Sequence, residues 1–256
     1  MLVIMKQGLI APEYLIDIKG ISALDYITYD EKQGLKIGAL TTHRDIEKSP
    51  IIQKHFNVLS EMERNLATIQ TRNWGTIGGN LCHGDPAGDP ALLLIALNAK
   101  LKLKSLAGER LIFMENFSKD LLEVDLGSEE MLTEIQVPIQ KPRTGVAHEK
   151  LMVMQGDAGI VGAAVSITLR PEKETCEDAR IVLSNVSSVP YRTREAESRL
   201  IGKVINDTLF DEAGEIASAG ADPPSDVHGS AEYRREMIKV FVKRVGQKAL
   251  ERAMQA

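Results

Sequence analysis

RNWGTIGGNLCHGDPAGDPALLL, from Arg72 to Leu94, sets two adjacent glycines, an asparagine, a histidine and two aspartates in one segment and then enters an apolar run. Glycine pairs weaken helices and strands alike, so a bare backbone here points to a close approach by something else. Thr76-Ile77-Gly78-Gly79-Asn80 offers successive unhindered amides and two short polar side chains. Such a concavity suits an anion, for instance the pyrophosphate of a nucleotide cofactor. The same five residues also make an ordinary tight turn, and both readings stand. Asp85 and Asp89 each precede a proline. Turn initiation accounts for Asp85, whereas Asp89 can also accept hydrogen bonds from the hydroxyls of a sugar-like ligand. His83 reads as a local hydrogen-bonding partner and Trp74 as a packing residue. Cys82 and His83 are adjacent, which makes it hard for both to face one metal ion.

Composition narrows what this segment can serve. The chain has 256 residues, a formal net charge of -5 and only 4% aromatic residues. That combination disfavours nucleic acid, which needs a basic face and stacking platforms. Two cysteines build neither a disulfide framework nor a four-thiolate site, and a reducing cytoplasm is the expected compartment. No stretch approaches the roughly 20 apolar residues of a membrane span. The start, MLVIMKQGLIAPEYL, lacks the basic leader and cleavage site of a signal peptide, and it opens in mid-run without a cap.

Patterning predicts an α+β protein in two parts, 1–140 and 141–256, with the boundary near Pro142. Strands are expected at Tyr14–Ile18, Leu35–Leu40, Lys100–Lys104, Glu109–Phe113 and Met131–Val137. Thr41-Thr42 with Asp45 marks a helix start, and a second helix is expected from Ile52 to Ile69, with Phe56, Leu59, Met62, Leu66 and Ile69 on one face. A buried helix is expected over Ala91–Leu97. In the second part, strands are expected at Lys150–Met154, Gly159–Leu169 and Ala179–Val186. Helices follow at Arg194–Ile201, Thr208–Ala219 and Ala231–Met254, the last with Met237, Phe241 and Val245 on its apolar stripe and its arginines and lysines opposite. Neither a nucleophile elbow, a phosphate-loop lysine motif nor a His-Glu-x-x-His zinc motif is present.

Thr71-Arg72-Asn73-Trp74-Gly75-Thr76-Ile77-Gly78-Gly79-Asn80-Leu81, followed by Asp85-Pro86 and Asp89, resembles the flavin-binding signature of the molybdenum hydroxylase family, in its separate FAD (medium) subunit. Cys82-His83-Gly84-Asp85-Pro86-Ala87-Gly88-Asp89 especially resembles the carbon monoxide dehydrogenase type. Ile37–Thr42, Glu134–Pro138, Val189–Arg192 with Glu195–Glu197, and Ala231–Arg235 extend the resemblance through nearly the whole chain in order. It implies a flavin-binding domain of the PCMH type followed by a three-stranded antiparallel sheet with helices. It further implies that Thr76, Ile77, Gly78, Gly79 and Asn80 meet the pyrophosphate and ribityl of FAD, with His83 in the same loop. On the same basis Asp89 binds ribityl hydroxyls, Leu132 and Lys150 lie near the isoalloxazine, and Asp157 lies close to the cofactor. For Leu132 and Lys150, strand core and exposed strand charge are the competing readings.

Two departures matter. Members carry an earlier Ala-Gly-Gly-Thr-Asp-Leu type loop, which is absent here; Leu2–Lys6 resembles the residues that follow it. The expectation is either a start that lies upstream or a shortened chain with impaired FAD binding. A cysteine-rich insert for an additional iron–sulfur cluster is also ruled out by the two cysteines. The implied function is electron output: a molybdenum large subunit oxidises substrate, a small subunit with two-iron clusters passes electrons on, and FAD delivers them to NAD, a quinone or oxygen. No side chain of this chain then has to act as an acid, base or metal ligand. The alternatives are a non-catalytic assembly subunit that has lost tight FAD binding, and a standalone flavin oxidoreductase.

Overall fold

The computed structural model describes residues 5–256; of the Leu2–Lys6 segment, residues 2–4 lie outside that range. The first part runs β1 (Ile27–Asp30), β2 (Gly34–Gly38), α1 (His43–Lys48), α2 (Pro50–His55), α3 (Asn57–Arg64), α4 (Ile69–Trp74), α5 (Ile77–Leu81), α6 (Asp89–Ala96), β3 (Lys100–Ser105), β4 (Gly108–Phe113), β5 (Ser118–Asp120), β6 (Glu123–Val124) and β7 (Met131–Val137). The second runs β8 (Thr144–Leu151), β9 (Val161–Leu169), β10 (Cys176–Ser184), β11 (Tyr191–Arg192), α7 (Arg194–Leu200), α8 (Asp207–Gly220) and α9 (Ala231–Gln255). The result is the α+β architecture expected.

Strands order as β1-β2-β7-β3-β4, antiparallel throughout, beside the small β5–β6 ribbon. Leu35 opposes Val137 and Ile37 opposes Ile135, which places four buried aliphatic side chains on one face, under the helices. Alternation along β7 slips where its register to β3 shifts at Lys102/Leu103, so Leu132 and Ile135 are both buried across a bulge. The strand expected at Tyr14–Ile18 is absent. Tyr14 is 85% exposed, the segment is irregular, and no neighbouring strand supplies its ladder. β1, which was not anticipated, forms instead because Asp30 Oδ1 accepts from the amides of Lys32 and Gln33 and folds the chain back onto β2.

The long helix expected over Ile52–Ile69 is corrected to three pieces. Phe56 leaves helical geometry (φ -143°, ψ 50°) to enter the core between α2 and α3. Ala67, at φ 44°, breaks the chain before Thr68 caps α4 through the Thr71 amide. Phe56, Leu59, Met62 and Leu66 are buried as expected, but Ile69 points to solvent.

β8, β9 and β10 form the three long antiparallel strands of the second sheet, and two-residue β11 extends its edge. β8 begins at Thr144, well before the Lys150 expected, because Gly145 allows the strand to lie against α9: a Cβ there would stand 2.0 Å from Ala249 O. β9 is buried along its whole length. Ala163, Val165 and Ile167 join Ile238, Phe241, Val242 and Val245 of α9 in one core, while Ala164 faces the other way and joins Leu92 of α6 in the first core. Met237 is only half-buried at the margin of the α9 stripe, and the expectation that the arginines of α9 face water fails at Arg234, which is 0% exposed.

Candidate flavin site

The glycine-rich segment folds as a short helix, α5, and is not a simple turn. Thr76 is its N-cap, with Oγ1 accepting from the Gly79 amide at 3.2 Å. Thr42 caps α1 in the same way through the Asp45 amide, confirming the helix start expected there. The two caps are pinned side by side: His43 N donates to Gly75 O at 3.1 Å and Ile77 N to Thr41 O at 3.0 Å.

The two glycines answer to different causes. A Cβ at Gly78 would stand 2.6 Å from Ala39 O and 2.7 Å from Ala39 Cβ, so this position is bare for internal packing. Gly79 is exposed, and a Cβ there would meet only Thr76 Oγ1, at 3.0 Å. The expectation of freely converging amides is corrected. Ile77 N and Gly78 N donate to Thr41 O and Ala39 O, and Gly79 N and Asn80 N donate to Thr76. Ile77 itself is a core side chain. What the segment leaves exposed is therefore the open face of Gly79, with half-buried Thr76 and Asn80 on either side of it in the helix.

Asp85 initiates a turn, its Oδ1 accepting from Ala87 N at 2.8 Å, and the chain then enters α6 with Asp89 as its first residue. Asp89 is only 2% exposed. Its Oδ2 accepts from Lys150 Nζ at 2.6 Å, and its Oδ1 lies 3.4 Å from His148 Nε2. Burial alone would raise this carboxyl, but His148 and then Lys150 outweigh it and hold Asp89 below the usual carboxylate range. Lys150 is thus a buried partner, its side chain 5% exposed, and not a surface strand charge. In the preceding loop His83 Nδ1 is buried and has no hydrogen-bond partner, and Asp89 Oδ1 and His148 Nε2 meet only each other, at 3.4 Å and outside hydrogen-bond geometry. Such atoms are unfavourable unless a polar group completes them, and a polyhydroxyl chain supplies that chemistry. On this observation the residues present fit FAD.

A second polar layer, not anticipated from the sequence, backs the site. Fully buried Glu63 meets His43 Nδ1 at 2.9 Å. Burial pushes the Glu63 carboxyl up, His43 opposes this, and the negative charge of nearby Asp89 pushes it further up. Glu47 accepts from Arg44 and from Arg72, whose Nη1 also donates to Leu66 O and Ala67 O. Of these residues only Arg72 belongs to the Thr71–Leu81 signature; His43, Glu47 and Glu63 carry no motif. His148 had a legible signal: with β8 starting at Thr144, it and Lys150 alternate onto the same face as Val146.

The remaining expected residues divide. Leu132 is buried in the first core opposite Leu103, the strand-core reading, although its strand touches α5. Asp157 lies in the β8–β9 loop, where its carboxylate accepts from Met154 N at 3.1 Å and is not hydrogen-bonded to Asp89 or Lys150. The reading of Trp74 as packing is overturned: it is 71% exposed, with Lys19 Nζ 4.2 Å from the ring centre. Burial pushes the Cys82 thiol up to about 11. No helix among the described residues is long and apolar enough to cross a membrane.

Comparison with known proteins places this geometry. The model for the FAD binding domain in molybdopterin dehydrogenase matches residues 1–140, and that for the CO dehydrogenase flavoprotein C-terminal domain matches residues 147–249. The carbon monoxide dehydrogenase medium chain of Hydrogenophaga pseudoflava is 36% identical over 244 residues, covering 95% of this chain and 84% of that one. The glyceraldehyde dehydrogenase medium chain of Sulfolobus acidocaldarius is 33% identical over 237 residues, covering 93% and 83%. Among solved structures, a chain of the Hydrogenophaga pseudoflava carbon monoxide dehydrogenase lacking the Mo-pyranopterin moiety superposes with a TM-score of 0.94 at 35% identity, covering 98% of this chain and 86% of that one. The chain belongs to the FAD-binding medium subunits of the molybdenum hydroxylases, the flavoprotein components of these oxidoreductases.

Proposed function

We propose that this chain is the electron-output subunit of a molybdenum hydroxylase complex. It takes electrons from two-iron clusters on a small subunit, served by a molybdenum large subunit, and passes them to an external acceptor such as NAD, a quinone or oxygen. Bound FAD supplies the two-electron redox chemistry. The residues of the chain bind, orient and exclude water. Thr76, Asn80 and the bare face of Gly79 border the dinucleotide. His83 and Asp89 offer unsatisfied polar atoms to its hydroxyls. Lys150 keeps Asp89 ionised and therefore accepting, and Asp157 lies on the adjoining loop. Leu132 and Ile77 support the site from the core. We place the division between the cofactor part and the C-terminal part at about residue 140, and the chain in the cytoplasm, where its two free thiols are stable.

The observation that carries this reading is the buried Asp89 carboxylate, whose Oδ1 is met only by His148, outside hydrogen-bond geometry, in the element that follows the glycine-rich helix α5 and its loop. Purification of the assembled complex tests it: flavin absorbance is expected to accompany molybdenum and iron in stoichiometric amount. A complex that retains both metals and lacks flavin refutes it. That outcome would instead support a non-catalytic assembly subunit, a reading favoured by one feature, the internal pairing of the 77–80 amides.

A further inference from the structure

Arg234 occupies the first turn of α9, and its guanidinium is enclosed where three loops meet. Its Nη2 donates to both carboxylate oxygens of Asp226 at 2.7 Å. Its Nη1 donates to Ile160 O and, at 3.3 Å, to Asn185 O. Asn185, held at φ 58°, extends the junction in two directions: its amide donates to Pro86 O at 2.9 Å and its Nδ2 to Gly159 O at 2.6 Å. Every acceptor in this set belongs to a loop. Gly159 and Ile160 close the loop that carries Asp157, and Pro86 lies in the loop that delivers Asp89. Burial of an arginine is costly, and its rigid fork of donors offsets the cost only where several acceptors must be fixed together. The charge partner, Asp226, keeps 39% of its side chain exposed, so the clamp is anchored from the surface and not from either apolar core.

We infer that Arg234, with Asn185 and Asp226, is the positioning clamp of the flavin site, holding the 84–88 and 152–160 loops in the one arrangement that admits the cofactor. The inference rests on the FAD reading above. Arg234 need not touch FAD; it acts through the two loops.

Asp226→Asn keeps the shape and an acceptor oxygen but removes the charge. Asn185→Gly keeps the left-handed backbone and its main-chain bonds but removes the Nδ2 contact. Val242→Ala, in the second core, serves as a control for general destabilisation. In the full chain, hydrogen exchange of the two loops, thermal midpoint, FAD affinity by fluorescence titration and visible circular dichroism of bound flavin are measured together. Both variants are expected to exchange faster in 84–88 and 152–160, to bind FAD about tenfold more weakly, and to alter the flavin dichroism, the fold-change of one lost hydrogen bond, charge-assisted in Asp226→Asn and neutral in Asn185→Gly. Val242→Ala is expected to lower the midpoint without changing loop exchange or FAD affinity. Unchanged loop exchange in Asp226→Asn overturns the clamp, whether or not FAD binds. So does a control that weakens FAD as much as the loop variants do. If the unaltered chain takes up no FAD while loop exchange still responds, the flavin reading fails and the clamp's assignment to that site fails with it.

Discussion

Replacing Lys150 with methionine isolates the interaction on which the candidate site turns. Lys150 Nζ stands 2.6 Å from Asp89 Oδ2, and both side chains are almost wholly enclosed. At an effective dielectric constant of ~20, two unit charges at that separation attract by about 6 kcal/mol before desolvation is counted. Removing one partner strands the other, and such substitutions cost ~3–5 kcal/mol. His148, 3.4 Å from Asp89 Oδ1, softens the loss without replacing the hydrogen bond. We therefore predict that Lys150→Met lowers the stability of the chain by about 3 kcal/mol at neutral pH, and the thermal midpoint by on the order of 10 °C. Asp89→Asn should cost a similar amount, and the double variant less than the sum, because it leaves no unpaired buried charge. Acid weakens the same pair. Asp89 is held below its unfolded value, so its contribution is fully present above the unfolded carboxylate range and is lost as pH falls through the lower folded value. Denaturant titrations of all four proteins between neutral and acidic pH measure this. Strict additivity of the two single variants, or a Lys150→Met cost under ~1 kcal/mol, refutes the argument that this pair is buried and coupled.

Gly78→Ala is expected to destabilise by ~1–3 kcal/mol or more through its clash with Ala39, whereas Gly79→Ala should leave the denaturation midpoint nearly unchanged and weaken FAD binding; titrations of both variants decide whether the outward face of α5 meets the cofactor. The Cys82 thiol, pushed up to about 11, should resist alkylation in the native chain at mildly alkaline pH and react promptly in denaturant, as followed by intact mass. A fragment ending at residue 140 should lack a cooperative thermal transition, because Val146, Ala164 and Val182 complete the first core from beyond it.

Legibility in the sequence followed the range of each force. Local signals succeeded. Thr42 and Asp45 announced α1, alternation announced β2 and β3, and the apolar run after Asp89 announced α6. Failures began where tertiary contacts overrode local preference. Phe56 and Ala67 break a helix whose apolar period runs on unbroken, and Tyr14–Ile18 has strand composition but no partner strand. At the site, the motif gave the position of Thr76–Asn80 and not its reason. Of the two glycines, one is bare because Ala39 packs against it, which no one-dimensional pattern reveals. Arg234 and Lys150 look like solvated charges in sequence, since only the packing of α9 and β8 shows that carbonyls and a carboxylate await them. His43 meets Glu63, and Glu47 meets Arg72, across 20 and 25 positions, only because α1 packs against both α3 and α4.

The division of the chain at residue 140 is a division of motifs, and the packing cuts across it. All eight residues of α6 are buried, which is possible only because it is covered on more than one side. It contacts α3, α5 and the Met114–Asn116 turn in the first part, and β9 and β10 in the second, where a Cβ at Gly162 would come within 3.2 Å of Leu92. Its first residue is Asp89, and both groups that hold that carboxylate, His148 and Lys150, come from β8. The cofactor part therefore carries the glycine-rich segment, while the second sheet fixes the charge beside it. On the proposed function, that arrangement would hold a bound cofactor at a fixed place relative to both parts of the chain. The polar atoms around Asp89 are positioned by β8, which pairs along its whole length with the fully buried β9, and not by the loops alone.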